Sequence, residues 1–273
     1  MEWGNSMSKY EGYDEGYLNE FDNDKNVLMI PNKYSNVVIV PMRSGSKGIK
    51  NKNIKELCGL PLYYWTIKKL YNLTLMGKVD KIIVSSDNDW FLEQVKLSFG
   101  KFPNIKLVLS KRPENLSMDS STTDEVVFYE LDKHVVYSGL VSIVEVTSPL
   151  IPVDALNLMI SSIDDYIDSS FLVYKDVGQF WKCKRPDYKW ESQYKQRYMR
   201  QAENDPLFRE VGAWCTKVEK FRESKDRISG TVMPITVDRE FGLSINDSND
   251  FRYAEMLIKD LSPTIFKDSG LYR

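Results

Sequence analysis

The chain has 273 residues, 42% hydrophobic and 28% charged, enough to bury one large α/β core or two small ones. Its net charge of −2 gives no global basic field toward nucleic acid or anionic lipid, so any phosphate binding has to be local. Cys58, Cys183 and Cys215 are too few and too scattered for a disulfide framework or a zinc site; they suit reduced thiols in the cytoplasm, and no apolar run nears the ~20 residues of a membrane helix. The N-terminus lacks the basic-then-apolar order of a signal peptide. His134 is the single histidine and is expected at the surface, near the end of a helix, which leaves histidine catalysis and histidine-rich metal binding without support.

Residues 1–35 read as an acidic extension of disordered composition, with Leu28-Met29-Ile30 available to dock on the body and Met7 as an alternative start to Met1. Val37 to Val40 form a buried strand. Ser44, Gly45, Ser46, Lys47 and Gly48 follow as a loop whose glycines let backbone N–H groups cradle an anion. Arg43, Lys47 and Lys52 add cations at spacings that converge on a polyphosphate. Leu60-Pro61-Leu62 then opens a helix with Tyr64, Ile67 and Leu70 on one stripe. Neither G-x-x-x-x-G-K-[ST] nor G-x-G-x-x-G is present.

A second strand, Lys81 to Val84, ends in Ser85-Ser86-Asp87, where ligands of parallel sheets bind. Asp87 is open to two compatible roles, a site residue or a cap for the helix from Asp89. Ile105 to Leu109 is a third strand. Arg112-Pro113 follows, and Asp119, Ser121 and Thr122 read as caps for a helix carrying Val126, Val127, Tyr129 and Leu131. Val141 to Val146 is a fourth strand, followed by Thr147-Ser148-Pro149-Leu150 and a helix near Asp154. This alternation over 37–165 predicts an α/β fold: an open, mostly parallel sheet with helices on both faces.

From about 170 the rhythm changes. Phe171 to Tyr174 is a strand, and 176–210 is an excursion rich in aromatic and basic residues. Trp181, Tyr188, Trp190, Tyr194 and Tyr198 alternate with Lys182, Lys184, Arg185, Lys189, Lys195, Arg197 and Arg200. Such a segment suits a dimer contact or a platform for single-stranded nucleic acid. Asp205 to Trp214 returns to the core, Lys217 to Glu223 is a short helix and Val232 to Val237 a short strand. The last helix carries Phe251, Ala254, Leu257, Ile258 and Leu261 on one stripe. One domain is expected over 36–262, including the 176–210 arm, with 263–273 as a tail.

The string P-x-R-x-G-S-K-G-x-x-x-K-N at 41–53, followed by Gly59-x-Pro61-Leu62, resembles the CMP-sugar-acid synthetases. That family includes CMP-N-acetylneuraminate, legionaminate and pseudaminate synthetases and, more distantly, CMP-3-deoxy-manno-octulosonate synthetase. Val84 to Asp87 is similar to its V-S-[ST]-D, 112–121 to its R-P-x-x-L-x-x-D-x-[ST], and 145–150 to its Q-x-T-S-P-L. Departures are Glu145 for glutamine, Ile151 for arginine and Val211 for asparagine. The usual Asp-x-Asp at the metal is Ser244-Ile245-Asn246, and Asp247 stands one residue late, where its default role is a helix N-cap.

The resemblance implies a nucleotide-diphospho-sugar transferase-like fold and a cytidylyltransferase acting on CTP and a sugar acid such as a sialic acid. Arg43 and Lys52 would be catalytic. Ser44 to Gly48, Asn53, Ser86, Asp87 and Arg112 would hold the nucleotide, and Glu145, Thr147 and Ser148 the acceptor. Asn246 and Asp247 are what remains for a metal, so Mg²⁺ or Mn²⁺ is expected to enter with CTP, with Glu145 or Asp87 as substitute ligands. The 176–210 arm would form a homodimer rather than a nucleic-acid surface. The alternative is a catalytically weak or inactive homologue that binds nucleotide or a protein partner.

Overall fold

The computed structural model describes residues 34–176, 178, 180–184, 186, 189–193 and 207–269, with the side chains of 261–269 excepted. The extension before residue 34, Arg185, Tyr188, Tyr194, Lys195, Arg197, Tyr198, Arg200, Asp205, the Leu261 side chain and the last residues of the tail lie outside the described residues.

The chain opens with β1 (Asn36–Pro41), then the short hairpin β2 (Glu56–Leu57) and β3 (Leu60–Pro61), whose turn needs positive φ at Cys58 (49°) and Gly59 (81°). Next come α1 (Leu62–Leu75), β4 (Lys81–Ser86), α2 (Asp89–Phe99), β5 (Leu107–Lys111), α3 (Thr123–Lys133), β6 (Leu140–Val144) and α4 (Val153–Ser161). The second half holds β7 (Ser169–Asp176), the hairpin β8 (Trp181–Lys184) and β9 (Lys189–Ser192), β10 (Leu207–Lys217), α5 (Val218–Ser224), β11 (Val232–Thr236) and α6 (Ser248–Ser269).

The seven-stranded sheet has the order β11-β7-β10-β6-β1-β4-β5. β1 lies parallel between β4 and β6, and β5 is parallel to β4. β10 is antiparallel to both β6 and β7. The mostly parallel sheet is as expected, with β10 as the exception.

Both sheet faces are covered, so the central strands are apolar throughout rather than alternating. Val38, Val40, Ile82 and Val84 pack in a core with residues of α1, α2, α4 and α6. Val37, Ile39, Ile83, Val141 and Ile143 join Val127, Leu131, Val218 and Phe221 on the other face. α1 is buried well beyond the Tyr64-Ile67-Leu70 stripe: Trp65, Thr66 and Lys69 are also inside, and Tyr64 is only half-buried. Trp65 Nε1 finds its acceptor in the Leu57 carbonyl at 3.2 Å.

Several boundaries move. β5 starts at Leu107 rather than Ile105, because its register follows β4 from the Ile82–Leu107 pair. β6 ends at Val144, leaving Glu145 and Val146 in the loop beyond it. His134 is half-buried at the end of α3 rather than fully at the surface, 3.3 Å from Glu130 Oε2. Among the described residues no helix is long and apolar enough to cross a membrane.

Candidate nucleotide site

The predicted site residues gather beyond the carboxyl ends of β1, β4, β5 and β6. Met42 N donates to the Ser85 carbonyl (2.8 Å) and Arg112 N to the Ser86 carbonyl (2.9 Å), extending the parallel ladder into the loops. The chain after β1 therefore leaves beside the tips of β4 and β5.

Asp87 anchors the loop. Its carboxylate accepts from Ser44 N (2.9 Å) and Ser44 Oγ (2.5 Å). Partial burial works to raise its pKa, but these bonds and the Arg112 charge prevail and hold it below the ordinary carboxylate value. Asp87 is not the cap of α2; Asn88 is, accepting from Trp90 N (2.9 Å) and Phe91 N (3.3 Å). Ser86 is buried and its Oγ accepts from Asn88 N at 3.1 Å, within the same turn.

Asn53 is buried and donates from Nδ2 to the Arg43 carbonyl (2.9 Å), so it ties the end of the loop to its beginning. Arg43 Nη1 stands 3.1 Å from Asp119 Oδ1, and Lys47 Nζ stands 2.5 Å from Asp119 Oδ2. The Lys47 hydrogen bond, ahead of the Arg43 contact, lowers the Asp119 pKa. Asp119 is thus no helix cap. Thr122 caps α3 with a reciprocal Thr122–Glu125 box, a Thr-x-x-Glu signal that was present in the sequence, and Ser121 Oγ donates to the Asn115 carbonyl (2.6 Å).

Lys52 connects the two ends of the cleft. Its Nζ donates to the Ile245 carbonyl at 2.6 Å. Burial lowers its pKa, opposed by the charge of Glu145 and aided by that of Arg43. Gly48 lies against the Asn246 backbone carbonyl so closely that a Cβ there would collide with it. Arg112 is 3% exposed, with Nε donating to Ser117 Oγ (2.8 Å) and Nη1 to the Ser85 carbonyl (3.1 Å). It sits within the wall of the cleft rather than on its surface. Burial lowers its pKa against the charges of Asp87 and Glu130.

The end of β6 is less charged. Glu145 N donates to the Gly212 carbonyl (2.8 Å), and Thr147 Oγ1 donates to Glu145 Oε2 (3.2 Å). Ser148 Oγ is buried without a hydrogen-bond partner. A Cβ on Gly212 would stand 2.6 Å from that hydroxyl and 3.0 Å from Glu145 Oε2, so only glycine keeps this corner open.

The 244–250 turn does not fit a resident metal. Asp247 Oδ1 accepts from Asn249 N (2.7 Å) and Asp250 N (3.0 Å), and Asp250 Oδ2 accepts from Asn246 N (2.8 Å) and Asp247 N (3.1 Å). Both carboxylates are thereby engaged in starting α6. The Asn246 amide donates to the Ser244 carbonyl (3.1 Å), and among the described residues no group of three or more His, Cys, Asp or Glu could hold a metal ion. Ser244 and Asn246 supply no charge in place of the usual pair of aspartates.

Residues 37–214 match the protein-family model described as Cytidylyltransferase. An N-acylneuraminate cytidylyltransferase of Streptococcus agalactiae is 28% identical over 220 residues, 79% of this chain and 51% of the relative. A pseudaminic acid cytidylyltransferase of Campylobacter jejuni is 37% identical over 93 residues, 34% of this chain and 36% of the relative. The chain thus spans about half the length of the Streptococcus relative, 51%. Among solved structures, a 4-diphosphocytidyl-2C-methyl-D-erythritol synthase superposes with TM-score 0.60 at 12% identity, over 83% of this chain and 99% of that one. A CMP:2-keto-3-deoxy-manno-octonic acid synthetase complexed with CTP gives 0.57 at 13% identity, with the same coverages of 83% and 99%. These two show a shared fold. The family match covers more than half of the chain and includes the cationic loop, both strand tips and Thr147 to Leu150: the chain belongs to the cytidylyltransferase family, with the CMP-sugar-acid synthetases as its relatives.

Proposed function

We propose that this chain transfers CMP from CTP to a sugar acid, a nonulosonate such as a sialic acid, and releases pyrophosphate. The observation that carries this is the loop after β1, where Arg43 and Lys47 grip the Asp119 carboxylate from two sides. Groups arranged to hold one anion can exchange it for the phosphates of a nucleotide. The acceptor hydroxyl oxygen forms the new bond to the α-phosphorus, the bridging oxygen leaves with pyrophosphate, and the hydroxyl proton passes to solvent. The protein's part is positioning and charge neutralisation, by Arg43, Lys47, Lys52 and the backbone of Ser44 to Gly48. The N-acylneuraminate and pseudaminic acid relatives support a sugar-acid acceptor. Glu145, Thr147 and Ser148 are its candidate contacts.

A Mg²⁺ or Mn²⁺ ion would enter this reaction with CTP, where it would neutralise phosphate charge, since Ser244 and Asn246 offer no charge to hold one beforehand. The chain acts as a homodimer through 176–210. Trp181 and Trp190 on the β8–β9 hairpin, with Leu207 and Phe208 at the start of β10, are exposed and favour such a contact. A monomer by light scattering at high concentration would refute it; tight, salt-sensitive binding of single-stranded RNA would favour a nucleic-acid platform. The three free cysteines suit the cytoplasm.

Ser244 and Asn246 favour a second reading, a homologue that binds nucleotide but turns over weakly or not at all. Pyrophosphate release from each of the four NTPs, with and without Mg²⁺ or Mn²⁺ and across a panel of sugar acids, separates the two. Release confined to CTP plus one nonulosonate supports the enzyme. CTP binding without release in any combination supports the second reading.

A further inference from the structure

A row of alternating charge runs from the phosphate loop into the protein. Asp87 holds Ser44, and the buried Arg112 lies within reach of the Asp87 charge. Arg112 also feels the charge of Glu130, which lies on the inner face of α3 and is 0% exposed. One Glu130 oxygen accepts from Ser85 Oγ at 2.5 Å and the other from Ser110 Oγ at 2.7 Å. Arg112 Nη1 reaches the same Ser85 residue, at 3.1 Å from its carbonyl and 3.4 Å from its hydroxyl. Lys133 Nζ donates to Ser110 Oγ at 2.9 Å, and His134 Nε2 lies 3.3 Å from Glu130 Oε2.

A carboxylate removed from water is costly unless cations and donors surround it. Two serine hydroxyls solvate it without neutralising it. The neighbours of Glu130 on the inward face of α3 are Val126, Val127 and Leu131, among which an apolar residue would pack without that cost. Its place beside Ser85 gives the acid a use. We infer that Glu130 is a positioning residue for nucleotide binding: through Ser85 it fixes the Arg112 guanidinium, and so leaves Asp87 free to hold Ser44 and the phosphate loop. This rests on the nucleotide reading of that loop. With Glu130 neutral, Asp87 is the remaining carboxylate in the row for Arg112, and the guanidinium competes with Ser44 for it.

The test is calorimetric titration with CTP, alongside thermal melting, of wild type, Glu130→Gln, Ser85→Ala, the double variant and Ser110→Ala. Glu130→Gln should raise the CTP Kd about tenfold, the scale of a hydrogen bond to a charged group. Ser85→Ala should do likewise, and the double variant should be no worse than either, because both cut one link. Ser110→Ala removes a Glu130 donor whose hydrogen bonds go to Glu130 and Lys133 rather than to Arg112, and should leave Kd within about twofold. A merely structural Glu130 would lower the melting temperature and leave the Kd of the folded fraction unchanged, which would overturn the inference. Should Glu130→Gln not fold, an unchanged Kd in folded Ser85→Ala overturns it equally. Absence of CTP binding by the wild type would instead remove the nucleotide reading itself.

Discussion

At the ends of β1, β4 and β5 the cleft wall is charged in successive layers: Arg43 and Lys47 outermost, then Asp87, then the buried Arg112. At the end of β6 and in the turn before α6 the corresponding groups are Glu145, two hydroxyl residues, Ser244, Asn246 and Asp247. The two regions differ in how they are tied. In the first, Asp87 bonds the Ser44 backbone and Arg112 the Ser85 carbonyl, so loss of either disturbs its neighbours, while Arg43 and Lys47 rest on the half-exposed Asp119 carboxylate. In the second, Ser244 is half-buried and Asn246 exposed, and the turn is held by the Asp247–Asp250 cap together with the Asn246 amide on the Ser244 carbonyl. The inner charges of the first region are therefore built into the strand tips, whereas the side chains at 244 and 246 are held by fewer bonds.

Breaking the charged half should have the largest effect. Arg43→Ala should cut pyrophosphate release by about a hundredfold or more, as removal of a group that stabilises phosphate charge does, with an unchanged circular dichroism spectrum. Unchanged release in a folded protein would remove the loop from the reaction.

The neutral half hides one cation, and its test is stability. Lys69, on α1, is buried and its Nζ donates to the Pro149 carbonyl beneath Thr147-Ser148. Burial lowers its pKa from 10.5 to about 7. Between those values the unfolded chain carries a proton that the folded one does not, so this residue makes stability rise with pH across that window. Below about pH 7 both states are protonated, and the penalty is full and constant. Lys69→Met removes the penalty but leaves Pro149 without its donor, so a net gain of about 2 kcal/mol is expected at or below neutral pH. Denaturant melts at several pH values should show that gain shrinking toward pH 10.5, the unfolded-state value. A gain independent of pH would mean that Lys69 is not titrating.

Sharpening the contrast needs Ser244→Asp with Asn246→Asp. Two added carboxylates should lower the Mg²⁺ concentration for half-maximal rate by about fivefold. No change, with ordinary Mg²⁺ already sufficient for the wild type, would place the metal elsewhere. The smallest effect belongs to Asp119→Asn. Its ion pairs are half exposed, and such contacts contribute little. Removing this competing anion should improve the KM for CTP by about twofold; a weakened KM would make Asp119 an organiser of the loop instead.

Features set by local chemistry were legible in the sequence. The apolar run at 37–40 followed by Gly45, Ser46, Lys47 and Gly48 announces a strand and an anion loop from neighbouring residues alone. What depends on distant partners was not. Asp119 has the composition of a cap, and only folding brings it to Arg43 across 76 positions of sequence. Glu130 falls on the Val126-Val127-Leu131 face of α3 by its spacing, but nothing in the sequence names Ser85 and Ser110 as its partners. β10 reads as a strand, but its antiparallel direction shows only in its pairing with β6 and β7. The strand limits of β5 and β6 slipped because pairing with β4 and β1, not hydropathy, decides where a ladder begins and ends.

Lys52 and the carbonyl that receives its Nζ lie 193 residues apart, and Gly48 is tucked against the next carbonyl along. On a ribosome adding about 5–20 residues per second, the phosphate loop emerges roughly ten to forty seconds before that partner. The first four strands of the sheet core can assemble in that interval with the cationic loop still unlatched. A chain released short of Ile245 lacks the latch, so the emergence of Ile245, rather than folding of the first half, sets when Lys52 is held.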